Sequence, residues 1–326
     1  MTAIIELRGL TKRYGDLTAV EDLDLTIEAG GVFGFIGPNG AGKTTTMRMM
    51  TTLLRPTSGE ARIAGHSVID DPQAVRRVIG YMPDFFGVYE DMKVWEYLDF
   101  FAACYDIPAA TRPGMIDDLL SLVDLGHKRE AYVETLSRGM KQRLCLARTL
   151  THDPGVLILD EPASGLDPRA RIEMRELLRE LQQMGKTIFF SSHILSEVAD
   201  ICTSIGVIEN GRLVASGNVA EMMSRLRAHR LITVRFVPGE ALEMAETEAW
   251  LRGQPDVLSV TIAGDTPLPD TVQLDFGGDD AGMSALLARM VGRGLPVVSF
   301  SEERGDLEDV FMLVTRGLAD ENHPAT

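Results

Sequence analysis

The stretch Gly37-Pro38-Asn39-Gly40-Ala41-Gly42-Lys43-Thr44-Thr45 has the spacing of a phosphate cradle, G-x-x-x-x-G-K-[ST], and directly follows an apolar run, Val32–Ile36. Glycines at such a bend let successive backbone N–H groups turn inward on phosphate oxygens, and a helix starting there aims its positive end at the anion. Lys43 has the reach for β- and γ-phosphates, and the Thr44 hydroxyl suits Mg2+. A second apolar run, Val156–Leu159, ends in Asp160-Glu161. Carboxylates at that end of a buried strand lie where α/β sheets bind ligands. Asp160 is a candidate magnesium ligand, directly or through water, and Glu161 a candidate general base for an attacking water. No Asn-Lys-x-Asp guanine motif occurs, which argues against a GTPase.

These groups need elements to position them. Residues 1–64 read as strands with tight turns at Ile4–Leu7, Leu23–Ile27, Val32–Ile36 and Glu60–Ile63, with a helix from Gly42 to Leu54. Ala74–Pro83 reads as a short helix leading into a strand. From Lys93 to about Leu150 the apolar period is helical, with Val94, Tyr97, Leu98 and Phe101 on one face. Alternation then resumes: strand Val156–Leu159, helix Pro168–Met184, strand Thr187–Ser191, helix Ile194–Cys202, and strands Ser204–Ile208 and Leu213–Ala215. Such alternation predicts a largely parallel, doubly wound sheet. A linking helix is expected at Val219–Leu226. Beyond Arg230 the order strand, helix, strand, strand, helix, strand predicts a ferredoxin-like unit, followed by a helix at Leu307–Thr315. The expected domains are 1–228, with a helical subdomain at about 85–150, then 229–317, and a tail at 318–326.

Composition narrows the function classes. With 326 residues, 45% of them hydrophobic and 25% charged, the chain reads as globular with about two domains. A formal charge of −16 gives no general affinity for nucleic acid. From Arg230 onward there are 7 basic and 17 acidic residues, so this region is expected to point away from anionic lipid. Cys104, Cys145 and Cys202 lie far apart without metal spacing, as expected in a reducing compartment. Met1 to Gly9 lacks a signal-peptide layout, and no apolar run approaches the roughly 20 residues of a membrane span. A soluble protein is expected, with any membrane role coming through a partner.

With the two phosphate-site halves placed, residues 3–228 resemble the ATP-binding-cassette (ABC) ATPases. Leu136-Ser137-Arg138-Gly139-Met140-Lys141-Gln142 resembles the family signature, which caps the γ-phosphate of ATP held by another protomer. The resemblance gives Ser137 a hydroxyl role and Gly139 a backbone N–H role, although Ser137 could equally be a helix cap. Arg138 and Met140 depart from the usual L-S-G-G-Q. Ser164-Gly165-Leu166-Asp167 resembles the D-loop; the alternative is a plain Asp-Pro turn before a helix. His193 matches the switch histidine, which would bond the γ-phosphate and help orient water and Glu161. Tyr14 sits where the family stacks a ring on adenine. Ile79-Gly80-Tyr81-Met82-Pro83-Asp84 resembles the Q-loop with Asp84 in place of Gln, a competent magnesium ligand that also adds negative charge beside the triphosphate.

The resemblance implies a P-loop NTPase core with an antiparallel β subdomain and a helical subdomain. It also implies ATP and Mg2+ as cofactors, and a dimer formed on ATP with a second cassette, expected to be a copy of this chain. An integral-membrane permease would hold it at the inner face of the plasma membrane. Phe85–Trp95, rich in apolar and aromatic residues, is the expected permease groove, with core packing as the alternative. The single cassette and the tail Leu307–Thr315 look most like type-2 export systems. The appended unit is open between regulation of the dimer and simple stabilisation. Two other functions stay open: a mechanical or regulatory dimer without a permease, and a phosphotransferase acting on a small substrate.

Overall fold

The computed structural model describes residues 3–84, 87, 89, 91–194, 198, 200–219, 230–237, 244–262 and 271–303. It divides into two compact units, Met1–Val219 and Ala220–Thr326. The division falls nine residues before the boundary expected from sequence. The helix expected at Leu307–Thr315 lies outside the described residues, as do all but Val219 of the one at Val219–Leu226, Leu195, Ser196, Glu197 and Ala199 of the one at Ile194–Cys202, and Phe85, Phe86, Val88 and Glu90 of the expected groove.

The first unit begins with a four-stranded antiparallel sheet. It comprises β1 (Ala3–Tyr14), β2 (Leu17–Glu28), β4 (Ser58–Ile63) and β5 (His66–Ser67), in the order β2-β1-β4-β5. One face is apolar: from Leu23 to Glu28 buried and exposed residues alternate strictly, as in a half-buried strand. β1 and β2 are both longer than the sequence predicts, because the ends Lys12↔Val20 and Tyr14↔Leu17 also pair. Ladder hydrogen bonds carry them there without a regular apolar alternation to announce it. Gly59 passes so close to Gly9 that a Cβ would lie 2.2 Å from its carbonyl oxygen, which explains the glycine at the start of β4.

The central sheet has six strands: β3 (Val32–Ile36), β6 (Ile79–Met82), β7 (Val156–Leu159), β8 (Thr187–Ser192), β9 (Ser204–Glu209) and β10 (Arg212–Asn218), ordered β10-β9-β3-β8-β7-β6. Five of them run parallel, and β10 pairs antiparallel at the edge. Every residue of β3, β7 and β8 is buried, the pattern of a parallel sheet covered on both faces. Phe33 stacks on Phe189 with ring centroids 5.4 Å apart, and Phe35 packs against the same ring. Because β3, β6, β7 and β8 point the same way, the segments after them, which hold residues 37–42, 84, 160–167 and 193, emerge at one edge.

Helix α1 (Lys43–Met50) ends four residues short of the expected Leu54. Thr51 turns its hydroxyl back to the Met47 carbonyl, and Thr52 adopts φ +63°. Two threonines in succession favour local hydrogen bonds over helix continuation. The remaining helices of this unit among the described residues are α2 (Pro72–Val78), α3 (Val94–Cys104), α4 (Arg112–Leu122), α5 (Arg138–Leu150) and α6 (Pro168–Gln183). Helices α3 to α5, with two short 3-10 turns, form the helical region. Val94, Tyr97, Leu98, Leu120, Leu144 and Ala147 are buried there.

In the second unit β11 (Arg230–Phe236), α7 (Met244–Arg252), β12 (Val257–Ile262), β13 (Thr271–Phe276), α8 (Asp280–Gly292) and β14 (Val297–Glu303) follow in chain order. The sheet is antiparallel throughout, ordered β12-β13-β11-β14. Its core is Ile232, Val234, Phe236, Leu251, Val260, Val272, Leu274, Phe276, Leu286 and Met290. Arg230 bridges Glu302 and Asp280.

Candidate phosphate-binding site

The loop Gly37 to Gly42 joins β3 to α1, so one apolar strand and one helix fix both its ends. Its glycines are required by space and by backbone shape. A Cβ on Gly37 would lie 2.2 Å from the Ile208 carbonyl, and Gly42 has φ +110° with the Ala19 carbonyl 2.7 Å from where its Cβ would be. Gly42 is the residue before α1 and supplies no side-chain cap, so the first N–H groups of this helix are left for an outside acceptor. Ala41 is buried; its N–H donates to the Pro38 carbonyl at 3.2 Å, closing the loop. Lys43 is 6% exposed, and its ammonium donates to the carbonyls of Gly37 at 2.6 Å and Pro38 at 3.2 Å.

Asn39, Gly40, Gly42, Lys43, Thr44 and Thr45 line a cleft of about 310 Å³, whose other walls include Asp84, Glu161, Ser164 and His193. The expected phosphate loop, Q-loop position, base and switch histidine are therefore brought together. Tyr14 is not among the lining residues; it is half-exposed, with the Lys12 ammonium 5.2 Å from its ring centre.

Asp160 and Glu161 follow β7 directly. Asp160 is 1% exposed; its Oδ1 accepts from the Ser191 hydroxyl at 2.7 Å, and its Oδ2 has no hydrogen-bond partner among the described residues. A buried, unpaired carboxylate oxygen suits a hard cation. No group of three or more His, Cys, Asp or Glu side chains among the described residues could cage a metal. The donor set instead fits Mg2+, which takes one or two carboxylates and completes its shell with phosphate oxygens and water.

Glu161 adopts φ +51°, an uncommon conformation for a residue with a Cβ. Two contacts hold it: its N–H donates to Ser191 Oγ at 2.9 Å, and its carbonyl accepts from the Ser164 N–H at 3.0 Å. Its carboxylate then sits between two cation-capable groups, with Oε2 2.6 Å from His193 Nδ1 and Oε1 3.5 Å from Lys43 Nζ. A carboxylate so placed can take a proton from water while the ammonium and imidazole hold the neighbouring phosphate charge.

Ser137, Gly139 and Asp167 line a different cleft, of about 390 Å³, with Arg138, Arg143 and Arg169. Ser137 caps α5, its Oγ accepting from the Met140 N–H at 3.3 Å, and Asp167 caps α6 by accepting from the Ala170 N–H at 2.9 Å. Two capped helix N-termini thus face one cleft. Gly139 allows their approach, since a Cβ there would lie 3.2 Å from Ala170 Cβ.

Sequence reasoning gave no role to Ser191 and placed Gln142 only as the end of the signature segment. Ser191 ties Asp160 to the Glu161 backbone, and its signal was a serine pair closing a short run of apolar residues, Ile188 to Phe190. Gln142 is buried and its amide donates to the Pro162 carbonyl; a lone amide on an apolar helical face was its signal.

Residues 20–164 match the family described as ABC transporter. Over 98% of the chain it is 36% identical to the daunorubicin/doxorubicin resistance ATP-binding protein of Streptomyces peucetius, 94% of which is covered. It is 34% identical to a Nod factor export ATP-binding protein I of Burkholderia orbicola, over 96% of this chain and 97% of that one. Among solved structures, cbiO1 from Clostridium perfringens, part of the ABC transporter complex cbiONQ, is similar with a TM-score of 0.63 and 28% identity, over 69% of this chain and 92% of that one.

Proposed function

The chain belongs to the ABC transporter family as an ATP-binding, ATP-hydrolysing protein, and from that premise we propose that it is the engine of an export system, closing on ATP against a second copy and driving a separate permease. The observation that carries the hydrolytic half is the Glu161 carboxylate, set between Lys43 and His193 in the cleft of the phosphate loop. Gly37 to Thr45 bind the triphosphate through backbone N–H groups and the Lys43 ammonium. Thr44, Asp160 and Asp84 are the residues that would hold Mg2+, which supplies charge neutralisation at the phosphates when bound. Glu161 accepts the proton of the attacking water, and His193 orients that carboxylate and faces the γ-phosphate. Tyr14 stacks on the adenine.

The dimer reading rests on the separation of the two clefts. One chain carries a phosphate loop in the first, and Ser137, Gly139 and Asp167 in the second. A second copy, turned head to tail, would bring its second cleft to the first chain's nucleotide and complete both sites. ATP has the γ-phosphate that Ser137 and Gly139 contact and ADP lacks it, so binding closes the pair and hydrolysis releases it. Export is supported by relatives named for resistance and for Nod factor export. No helix among the described residues is long and apolar enough to cross a membrane, so membrane attachment would come through the permease, at the cytoplasmic face. The second unit, which we read as ferredoxin-like from its strand order, would regulate or steady the pair.

Phosphate release by the purified chain tests the hydrolytic assignment. Glu161→Gln is expected to lower the rate by about 10²–10⁴, the usual worth of a general base, with nucleotide binding retained. A rate close to wild type would remove Glu161 from that role.

A further inference from the structure

The two clefts share a wall. Ser164 borders the phosphate-loop cleft and Gly165 borders the Ser137 cleft, so the peptide joining them faces both. Two side chains of α5 grip the loop that carries it. Gln142 donates to the Pro162 carbonyl, and Arg138 Nη2 donates to the Ser164 carbonyl at 3.2 Å. Positions four apart share a helix face, so both residues meet the loop from one side. The Arg138 contact is close: a Cβ on Gly165 would fall 2.3 Å from Arg138 Cζ and Nη2. Gly165 also has φ +66°. Glycine therefore serves twice at this position, by admitting the guanidinium and by allowing the turn. The Ser164 N–H donates to the Glu161 carbonyl, so the gripped peptide is one hydrogen-bonded turn from the base.

We propose that Arg138 is a positioning residue that ties the Ser137 cleft to the Glu161 cleft of the same chain through the Ser164 carbonyl. The proposal rests on the reading of both clefts as halves of nucleotide sites. A glycine, which the usual signature places here, could make no such link. A phosphate presented at Ser137 competes for the guanidinium, because Arg prefers a charged phosphate oxygen to a neutral carbonyl. Drawing Arg138 toward it frees or shifts the Ser164 peptide, and the turn holding Glu161 moves with it. Occupancy of one cleft is thereby read at the other.

The test is a double-mutant cycle on the full chain with Arg138→Ala and Gly165→Ala, with Arg138→Lys alongside, measuring phosphate release against ATP concentration. Arg138→Ala is expected to lower kcat about tenfold, within the range of couplings between sites, to bring the Hill coefficient down toward unity, and to leave KM little changed. Arg138→Lys should recover part of both, since it can donate to the carbonyl but cannot lie flat on Gly165. Gly165→Ala should resemble Arg138→Ala, and the double variant should be no worse than the poorer single one. Additive losses, or wild-type kcat and cooperativity in Arg138→Ala, would overturn the link. Loss of ATP-driven dimerisation when Arg138→Ala is added to Glu161→Gln would overturn it too, by giving Arg138 a capping role across the dimer. Failure of Glu161→Gln alone to dimerise would instead sink the half-site reading and this proposal together.

Discussion

At the residue scale the site is built from pairs in which a backbone feature and a side chain solve one problem. Glu161 takes an unfavourable φ, and the Ser191 hydroxyl that secures its N–H also bonds Asp160. The motif residues were legible because spacing alone dictates a phosphate loop after a strand. The contacts of Ser191 and Gln142 were not, because their partners are carbonyls, carboxylates and N–H groups distant in sequence. Asp84 tests how far the resemblance carries: it lines the phosphate-loop cleft as the usual Gln would. A carboxylate binds magnesium more firmly than an amide. Asp84→Gln should therefore raise the magnesium concentration needed for half-maximal hydrolysis several-fold, and superimposable magnesium curves would remove Asp84 from the metal.

At the element scale, the parallel strands were predictable from unbroken apolar runs, since a strand buried on both faces needs no alternation. The ends were less so. The pairing of Lys12 with Val20 and the early stop of α1 at Thr51-Thr52 depend on hydrogen bonds that hydrophobic periodicity does not register. Of the two readings of Ser137, the cap is the one seen: the hydroxyl that the resemblance gives to phosphate caps α5 here. Ser137→Ala should cost about 1 kcal/mol of stability, the usual worth of such a cap, and should also weaken dimer closure on ATP. A melting temperature equal to wild type would count against the cap.

His152 joins the helical region to β6. Its ring stacks on Tyr105 at 3.9 Å and its Nε2–H donates to the Ile79 carbonyl at 2.8 Å. Nδ1 is buried without a partner among the described residues, and burial pushes the imidazole below its usual range. The folded chain therefore resists a proton that the unfolded chain accepts near pH 6.5. This contribution to stability is whole above about pH 6.5 and falls as pH drops below it, until the folded imidazole itself titrates. Thermal melts from pH 7.5 to 5 should show a shallower decline in His152→Gln than in wild type. Parallel declines would contradict the assignment.

At the scale of the whole molecule, the resemblance implied two half-sites in one chain, but the wall that the two clefts share is a feature that sequence could not display. The motif segments were visible in order along the chain. That Ser137, Gly139 and Asp167 gather away from Lys43, while Ser164 and Gly165 stand between the groups, depends on how α5 and α6 meet over the β7 loop. The second unit was legible in its element order, because its alternating strands and two short helices carry distinct periods. What it does for the pair depends on whether the pair forms.

The most direct test of the account is the mass in solution of purified Glu161→Gln protein, by light scattering, with magnesium-ATP, with magnesium-ADP and without nucleotide. A shift from monomer to dimer with ATP alone is the expected result, because the γ-phosphate is what the second cleft receives. A mass unchanged by ATP, with nucleotide binding confirmed separately, would contradict the claim that two copies of this chain complete each other's sites.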